Sequence, residues 1–275
     1  MNVQAPLSAS QLITTERPLV IGHRGFPHLA PENTLASFKL ALEAGVDLIE
    51  LDYRHTHDHI PIVIHDPELN RTTDATSRFR HRHVKVASRS AAEVHTLDAG
   101  RWYDGRYAGS RVPLLRQALQ LICEGNLALI ERKAGEAGTL VRLLRESGLI
   151  ERVVVQSFDW EFLRLVHELE PELILGALGP ARRLPNGKKP FGLSRKLNRA
   201  SLRHIPKTGA KILVWSQKVS KKAVHFAHSH GLKVWNYTIN NERVAKRLLR
   251  AGVDGIITNN PPLIQSIIRE KHPAK

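Results

Sequence analysis

The first apolar run of the chain reads PLVIGHRG at residues 18–25 and stops at His23, Arg24 and Gly25. Apolar residues bounded by charge on one side and by glycine on the other indicate a short β-strand. The end of a strand is held rigidly by its sheet while its side chains can still meet a ligand, so titratable residues at strand ends are typical of an active site. This segment therefore predicts a strand and one part of a functional site.

Two later apolar runs end in the same way. Residues 46–51 carry Glu50 and lead to Asp52, and residues 61–64 lead to His65. Glu50 and Asp52 are two positions apart on a predicted strand, so their side chains should point to the same face of the sheet. Acidic and imidazole groups are therefore expected to converge at one set of strand ends.

Further short apolar runs alternate with segments of helical spacing. The runs are residues 127–130, 152–155, 173–175, 211–214, 232–235 and 253–257. Strands that alternate with helices at this length imply parallel βα units, and about eight such units in about 250 residues are typical of a (β/α)8 TIM barrel. An open doubly wound sheet would more often carry a glycine-rich phosphate loop after its first strand. The sequence therefore predicts a single α/β TIM barrel over residues 18–271.

The order and spacing of the motifs closely resemble those of the glycerophosphodiester phosphodiesterases, from about residue 18 to residue 262. The motifs are His23-Arg24-Gly25, Pro31-Glu32-Asn33-Thr34, Glu50 with Asp52, His65-Asp66, Arg71-Thr72-Thr73, Glu131 with Lys133, Ser157-Phe158 and Thr238-Ile239-Asn240. The resemblance implies a TIM barrel with a small insertion after the second barrel strand, at about residues 67–111. It also implies a divalent metal and hydrolysis of glycerophosphodiesters to glycerol 3-phosphate and an alcohol.

Three carboxylates, those of Glu50, Asp52 and Glu131, are the expected metal ligands. Carboxylates that converge in one barrel mouth repel one another and raise one another's pKa unless a cation lies among them. Ligation by oxygen alone suits a hard ion, Mg²⁺ or Ca²⁺, with Mn²⁺ as a further option, and argues against zinc.

Four other side chains have expected roles in this chemistry. His23 and His65 would supply the acid and the base, because imidazole titrates near neutral pH, and the sequence does not decide which is which. Arg24 and Lys133 would bind the phosphate and neutralise the charge that grows on its oxygens during displacement.

The chain departs from the usual family pattern at three places. Asn259 stands where an aspartate is usual, residues 74–77 replace a glycine-containing turn, and Tyr237 stands where tryptophan is common. Tyr237 could form a wall of the glycerol pocket or pack in the core. The other two departures fall outside the expected metal and proton-transfer positions, so they should affect substrate preference more than catalysis.

Composition sets the remaining expectations. A chain of 275 residues with 42% hydrophobic content can bury one sizeable core. A single cysteine, Cys123, permits no internal disulfide, and no basic leader followed by an apolar stretch is seen, so a cytoplasmic enzyme is predicted. Residues 1–17 are predicted to be a poorly ordered lead-in, and residues 272–275 a tail.

The net charge of +15 is not explained by the family resemblance. Basic residues crowd residues 78–85 and 182–222, where they could steer anionic substrates or touch an anionic membrane. Aromatic residues make up only 5% of the chain and are not interleaved with these charges, which argues against nucleic-acid binding. The favoured function is a phosphodiesterase for water-soluble glycerophosphodiesters. Two alternatives stay open, a lysophospholipase D-type enzyme at a membrane surface and a noncatalytic phosphate-binding barrel. The sequence does not decide the oligomeric state.

Overall fold

The computed structural model describes residues 7–191 and 194–271. Its strands are β1 (Leu19–Gly22), β2 (Leu48–His55), β3 (Pro61–Val63), β4 (Leu127–Arg132), β5 (Val153–Ser157), β6 (Ile174–Gly179), β7 (Ile212–Trp215), β8 (Lys233–Asn236) and β9 (Gly255–Thr258). Its α-helices are α1 (Ala9–Ile13), α2 (Leu35–Glu43), α3 (Ala75–Phe79), α4 (Ala91–His95), α5 (Leu115–Cys123), α6 (Ala137–Glu146), α7 (Trp160–Leu169), α8 (Arg199–Leu202), α9 (Lys221–His228), α10 (Glu242–Ala251) and α11 (Pro261–Lys271). None of these helices combines the length and the apolar character needed to cross a bilayer.

Eight parallel strands close into a barrel, which confirms the predicted TIM-barrel fold. Around the barrel the strands follow the order β1, β9, β8, β7, β6, β5, β4 and β2, and pairing of β1 with β2 closes the ring. Helices lie between successive strands and cover the outer face of the sheet. The carboxyl ends of the strands therefore meet at one mouth, where active sites of this fold lie.

The two faces of each strand have different neighbours. On β2, Leu48 joins the apolar cluster inside the barrel, whereas Ile49 and Leu51 join the cluster between the sheet and the helices. Side chains alternate between the faces of a strand, so Glu50 and Asp52 continue the inward-pointing series that Leu48 begins. The apolar interior thus gives way to carboxylates near the mouth.

Strand β3 lies outside the barrel and runs antiparallel to β2. The run at residues 61–64 is therefore a strand, but it is not one of the parallel βα units that the sequence pattern suggested. Strand β2 extends beyond the barrel rim and β3 folds back along it, so that Ile64 N–H donates to the carbonyl of Asp52 at 3.0 Å. The hairpin brings His65, the next residue, back to the level of the mouth.

A small lobe lies between β3 and α5 and has its own hydrophobic core. It contains α3, α4 and two short 3-10 helices. Its core includes Leu69, Val84, Val94 and Leu97, all nearly inaccessible to solvent, packed with Ile62 of β3. The predicted insertion at residues 67–111 falls within this lobe.

The predicted lead-in differs from the structure over residues 7–17. Helix α1 begins with a capping box, in which Ser8 and Gln11 bond to each other's backbone. Ala9 and Leu12 of this helix are buried among Leu19 and Leu127, which begin their barrel strands. The segment is ordered because it covers apolar side chains at the amino-terminal end of the barrel. Residues 1–6 and 272–275 lie outside the described residues.

We expect Leu12→Ala to lower the free energy of unfolding by about 2–5 kcal/mol, because Leu12 is 4% exposed and its removal leaves a cavity. Leu7→Ala is the matched control, since Leu7 is 48% exposed and its truncation should cost less than about 0.5 kcal/mol. Denaturant titration of both variants measures the difference. Equal losses of stability in the two variants would mean that packing of α1 against the amino-terminal end of the barrel does not stabilise the protein.

Candidate active site

A cavity of about 190 Å³ opens at the carboxyl ends of the barrel strands. It contains six of the predicted site residues, and Tyr237 lies in its wall. The lining residues are His23, Arg24, Glu50, His65, Glu131, Lys133, Gln156, Phe158, Leu178, Arg182, Tyr237, Thr238 and Ile257. Asp52 is fully buried directly beneath this set, where it contacts Arg24 and Lys133. The structure therefore brings together every residue that the sequence pattern selected for chemistry.

A tight turn after β1 carries His23 and Arg24 into the mouth. Arg24 has φ of 53° and Gly25 has φ of 91°, both in the left-handed region. A Cβ at Gly25 would lie 2.4 Å from Ser37 Oγ, so only glycine fits the turn without displacing α2. Arg24 N–H donates to Glu50 Oε2 at 2.8 Å, which ties the turn to β2.

The carboxylates of Glu50, Asp52 and Glu131 form one buried cluster. Asp52 is paired with Glu131 in the register of β2 and β4, and Glu50 lies two positions earlier on the same face. Oxygen atoms of the three groups lie within 4.8 Å of one another, and each residue is less than 10% exposed. Three acidic groups at this separation make a ready ligand set for one cation.

Cationic and amide groups surround the cluster. Asp52 Oδ2 accepts from Asn33 Nδ2 at 2.9 Å and lies 3.0 Å from Arg24 Nε. Asp52 Oδ1 lies 3.2 Å from Lys133 Nζ, which also forms an ion pair with Glu131. These contacts hold the carboxylates in fixed positions and bring both expected phosphate-binding cations to the edge of the cluster.

Burial and mutual repulsion change the acidity of the cluster. Burial and the charges of Asp52 and Glu131 raise the pKa of Glu50 well above its usual value. Burial and the charge of Asp52 raise the pKa of Glu131 to about 7. Burial opposes ionisation of Asp52 as well, but Lys133 and Arg24 outweigh it and lower that pKa. If all three carboxylates were ionised, their charge would exceed that of the two cations, so a further cation in the cluster would favour the ionised forms.

The residues present fit a divalent cation. Glu50 Oε1 is buried and has no hydrogen-bond partner among the described residues, which is costly unless a ligand completes its coordination. All the candidate donor atoms are carboxylate oxygens, the donor type that Mg²⁺, Ca²⁺ and Mn²⁺ prefer. The structure is therefore consistent with the metal that the sequence predicts.

Each candidate histidine is held through its Nδ1 atom. His23 Nδ1 lies 2.7 Å from Asn259 Oδ1, and His65 Nδ1 lies 2.6 Å from Asp66 Oδ1. Burial and Arg24 lower the pKa of His23 to about 4, and burial is also the main reason that the pKa of His65 is lowered. Both imidazoles are therefore neutral at pH 7, with Nε2 left for the cavity that they line.

An ion-pair chain connects the two sides of the mouth. Arg71 Nε lies 2.5 Å from Asp66 Oδ2, and another nitrogen of Arg71 lies 2.7 Å from Glu32 Oε1. Glu32 Oε1 also accepts from Arg24 at 2.7 Å. The chain thus links the residue that orients His65 to the arginine beside His23. The motifs contain Glu32, Asp66 and Arg71, but sequence reasoning gave these residues no role in the chemistry of the site.

Tyr237 both lines the cavity and packs against neighbouring residues, while its predicted contact with glycerol stays a prediction. Its ring lines the cavity and packs edge-to-face against Phe158, with ring centres 5.9 Å apart. Its hydroxyl donates to the carbonyl of Gly179 at 2.9 Å. Burial and the nearby charge of Glu131 raise the pKa of Tyr237 to about 12, so the phenol stays neutral. Tyr237 therefore supplies an apolar wall and takes part in packing.

Comparison with known proteins identifies close relatives over most of the chain. The model of the glycerophosphoryl diester phosphodiesterase family matches residues 23–263. A glycerophosphodiester phosphodiesterase of Caldanaerobacter subterraneus is 31% identical over 261 residues, which are 92% of this chain and 99% of the relative. A protein of the same name from Bacillus subtilis is 30% identical and covers 95% of this chain and 91% of its own length.

Solved structures agree with these matches. A Silicibacter pomeroyi structure described as a glycerophosphoryl diester phosphodiesterase superposes with a TM-score of 0.80 at 28% identity, covering 93% of this chain and 94% of its own. An Oleispira antarctica phosphodiesterase superposes with a TM-score of 0.78 at 28% identity, covering 92% of this chain and 97% of its own. The latter was solved in complex with the product sn-glycerol-3-phosphate.

Proposed function

Because this chain belongs to the glycerophosphoryl diester phosphodiesterase family and is a phosphodiesterase of that family, we propose that it hydrolyses water-soluble glycerophosphodiesters to glycerol 3-phosphate and an alcohol. The observation that carries the proposal is the cavity at the barrel mouth, which joins two neutral histidines, two cations and a carboxylate cluster. The product complex of the Oleispira antarctica relative supports the same class of substrate.

Arg24 and Lys133 bind the phosphate in this proposal. Both line the cavity, and their side chains are only 15% and 11% exposed. A phosphodiester carries one negative charge, and more charge develops on its oxygens as the phosphorus is attacked. Two cations fixed by Asp52 stabilise that charge with little reorganisation, because their positions are set before substrate arrives.

Glu50, Asp52 and Glu131 hold the divalent cation, which we propose to be Mg²⁺ or Ca²⁺, with Mn²⁺ as a further candidate. When bound, such an ion supplies Lewis-acid stabilisation of a phosphoryl oxygen. The carboxylates also keep Arg24 and Lys133 beside the cavity, so they contribute to substrate binding through these cations.

His23 and His65 transfer the protons. In the route that we favour, one neutral imidazole takes the proton of the glycerol 2-hydroxyl as its oxygen attacks phosphorus. The other imidazole first takes up a proton from solvent beside the anionic substrate, and gives that proton to the departing alcohol. The phosphorus–oxygen bond to the alcohol breaks and a five-membered cyclic phosphate forms. Water then opens the ring with the proton transfers reversed, giving glycerol 3-phosphate. Direct attack of water on the diester is the alternative route.

A 2-deoxy glycerol analogue of the substrate distinguishes the two routes. We expect it to inhibit competitively, because its phosphate is intact, but to be hydrolysed at a negligible rate, because it lacks the attacking hydroxyl. Phosphorus NMR early in the reaction of the normal substrate should show the cyclic phosphate. Brisk hydrolysis of the deoxy analogue would establish direct attack by water instead.

A single assay tests the proposed function against its membrane alternative. Purified protein is supplied with glycerophosphocholine, glycerophosphoethanolamine or lysophosphatidylcholine, with and without Mg²⁺ or Ca²⁺. The proposal expects turnover of the first two only in the presence of the ion, and slower turnover of the lysolipid. Faster cleavage of lysophosphatidylcholine would assign the enzyme to lipid headgroups at a membrane surface. The cytoplasmic location stays a prediction from the sequence.

A further inference from the structure

A second cavity of about 230 Å³ adjoins the catalytic cavity at the barrel mouth. The two cavities share Glu131, Lys133, Phe158 and Arg182. The other lining residues of the second cavity are Arg54, Arg132, Ser157, Asp159, Arg183 and Lys189. It therefore begins where the phosphate would lie and extends outward past β4 and β5.

Some of the cations of this second cavity are already neutralised. Arg132 lies 2.9 Å from Asp159 Oδ2, and Arg183 lies 2.9 Å from Glu161 Oε2. These pairs fix the positions of two guanidinium groups but leave little net charge on them. An anion in the cavity would have to be attracted by other residues.

Arg54, Arg182 and Lys189 supply that attraction. Within residues 7–191 and 194–271, no carboxylate oxygen lies within 4.0 Å of the side-chain nitrogens of these three residues. The Arg182 guanidinium lies over the Phe158 ring at 4.8 Å, and Arg54 Nε donates to the backbone carbonyl of His65 at 2.8 Å. Both arginines are thus held in place while most of their donors are available to a ligand.

The catalytic cavity is small, and two further cavities open from it. At about 190 Å³ it is smaller than the roughly 300–1,000 Å³ usual for pockets that bury drug-sized ligands, so we place the alcohol in an adjoining cavity. A third cavity, which meets it at Tyr237 and Thr238, is lined by the uncharged polar groups of Ser216, Gln217 and Asn240. One exit from the phosphate position is therefore cationic and the other is neutral.

Resting on the proposed phosphodiesterase function, we infer that the cationic cavity binds the leaving alcohol and selects alcohols that carry a further negative charge, such as a phosphate ester. Three cations without carboxylate partners attract such a group, and their hydrogen bonds to it are charge-assisted. The same cavity repels a cationic alcohol such as choline. Substrate preference thus follows from the charge of this cavity.

Two substrates that differ by one phosphate group on the leaving alcohol test the inference. Glycerophosphoglycerol has a neutral leaving alcohol, and its derivative phosphorylated on the distal hydroxyl has an anionic one. We expect kcat/KM at low salt to be at least about tenfold higher for the phosphorylated diester, and lower for glycerophosphocholine than for either. Equal kcat/KM values for the two glycerol diesters would overturn the inference.

Two charge-reversal variants distinguish binding in this cavity from long-range electrostatic steering by the basic surface. Lys189→Glu should lower the ratio of kcat/KM for the phosphorylated diester to kcat/KM for glycerophosphoglycerol at least about tenfold. Lys211→Glu should leave this ratio unchanged. Lys211 is exposed directly before β7, at the opposite end of the barrel, and both substitutions change the net charge by the same amount. If both variants lost this preference equally, long-range steering alone would explain it and the inference would be wrong. If the wild-type protein hydrolyses neither glycerol diester, the proposed function itself fails.

Discussion

The variants His23→Ala and His65→Ala should each lower kcat by about 100-fold or more while the barrel stays folded. Each imidazole lines the cavity and is held through Nδ1, His23 by Asn259 and His65 by Asp66, so Nε2 is positioned for proton transfer. Truncation to alanine removes the proposed proton carrier but leaves the cations and carboxylates in place. Steady-state kinetics, with circular dichroism as the check on folding, measures the effect.

The double variant tests whether the two imidazoles act as a unit. If proton removal and proton delivery belong to one step, the loss in the double variant should be much smaller than the product of the two single losses. His225→Ala is the control, because His225 is exposed on α9 and does not line the cavity. Turnover close to that of the wild type in either single variant would exclude that histidine from the mechanism.

Chelation of divalent ions should abolish activity, and Mg²⁺ or Ca²⁺ should restore it. Stabilisation of a phosphoryl oxygen by an ion is worth several kcal/mol, so the loss is expected on the order of 1,000-fold. The same ion should raise the melting temperature of the folded protein, because only the native state brings the three carboxylates of Glu50, Asp52 and Glu131 together. Thermal shift thus gives a readout that does not depend on turnover.

Glu50→Gln should shrink this thermal shift, because an amide is a weaker ligand than a carboxylate. Glu172→Gln is the matched control, since Glu172 is exposed in the segment before β6 and should leave the shift unchanged. A chelated, ion-free sample that kept full activity would defeat the metal proposal. If activity needs the ion but the thermal shift is equal in the two variants, the ion binds at a site that does not include Glu50.

The barrel could be predicted from the sequence because its strands are short apolar runs that end in polar side chains. The two-residue period of a strand placed Glu50 and Asp52 on one face, and the structure has both pointing inward. The expectation that titratable groups meet at one mouth followed from parallel strands alone. The family resemblance is confirmed, while the roles of the individual histidines and cations stay predictions.

Features that depend on tertiary partners could not be predicted in this way. The apolar run of β3 indicates a strand but not its direction, and the structure pairs it antiparallel with β2. Helix α1 has only five residues, too few for a clear periodicity, and its order depends on the barrel end that it covers. The ion pair of Arg71 with Glu32 joins positions 39 apart in the chain, a distance over which local patterns carry no information.

The β2–β3 hairpin has a consequence for how the enzyme loses activity. The carboxylates and His23 belong to the barrel, whereas His65 follows β3 and stands at the entry to the small lobe. The two hydrophobic cores differ greatly in size, and a small core opens more readily than a large one. Opening of the lobe would displace Asp66 and Arg71, whose contacts hold the His65 ring, while the barrel keeps its shape. Activity should therefore be lost at a lower temperature than the helical circular dichroism signal of the barrel, and coincident loss of the two would mean that the lobe and the barrel unfold together.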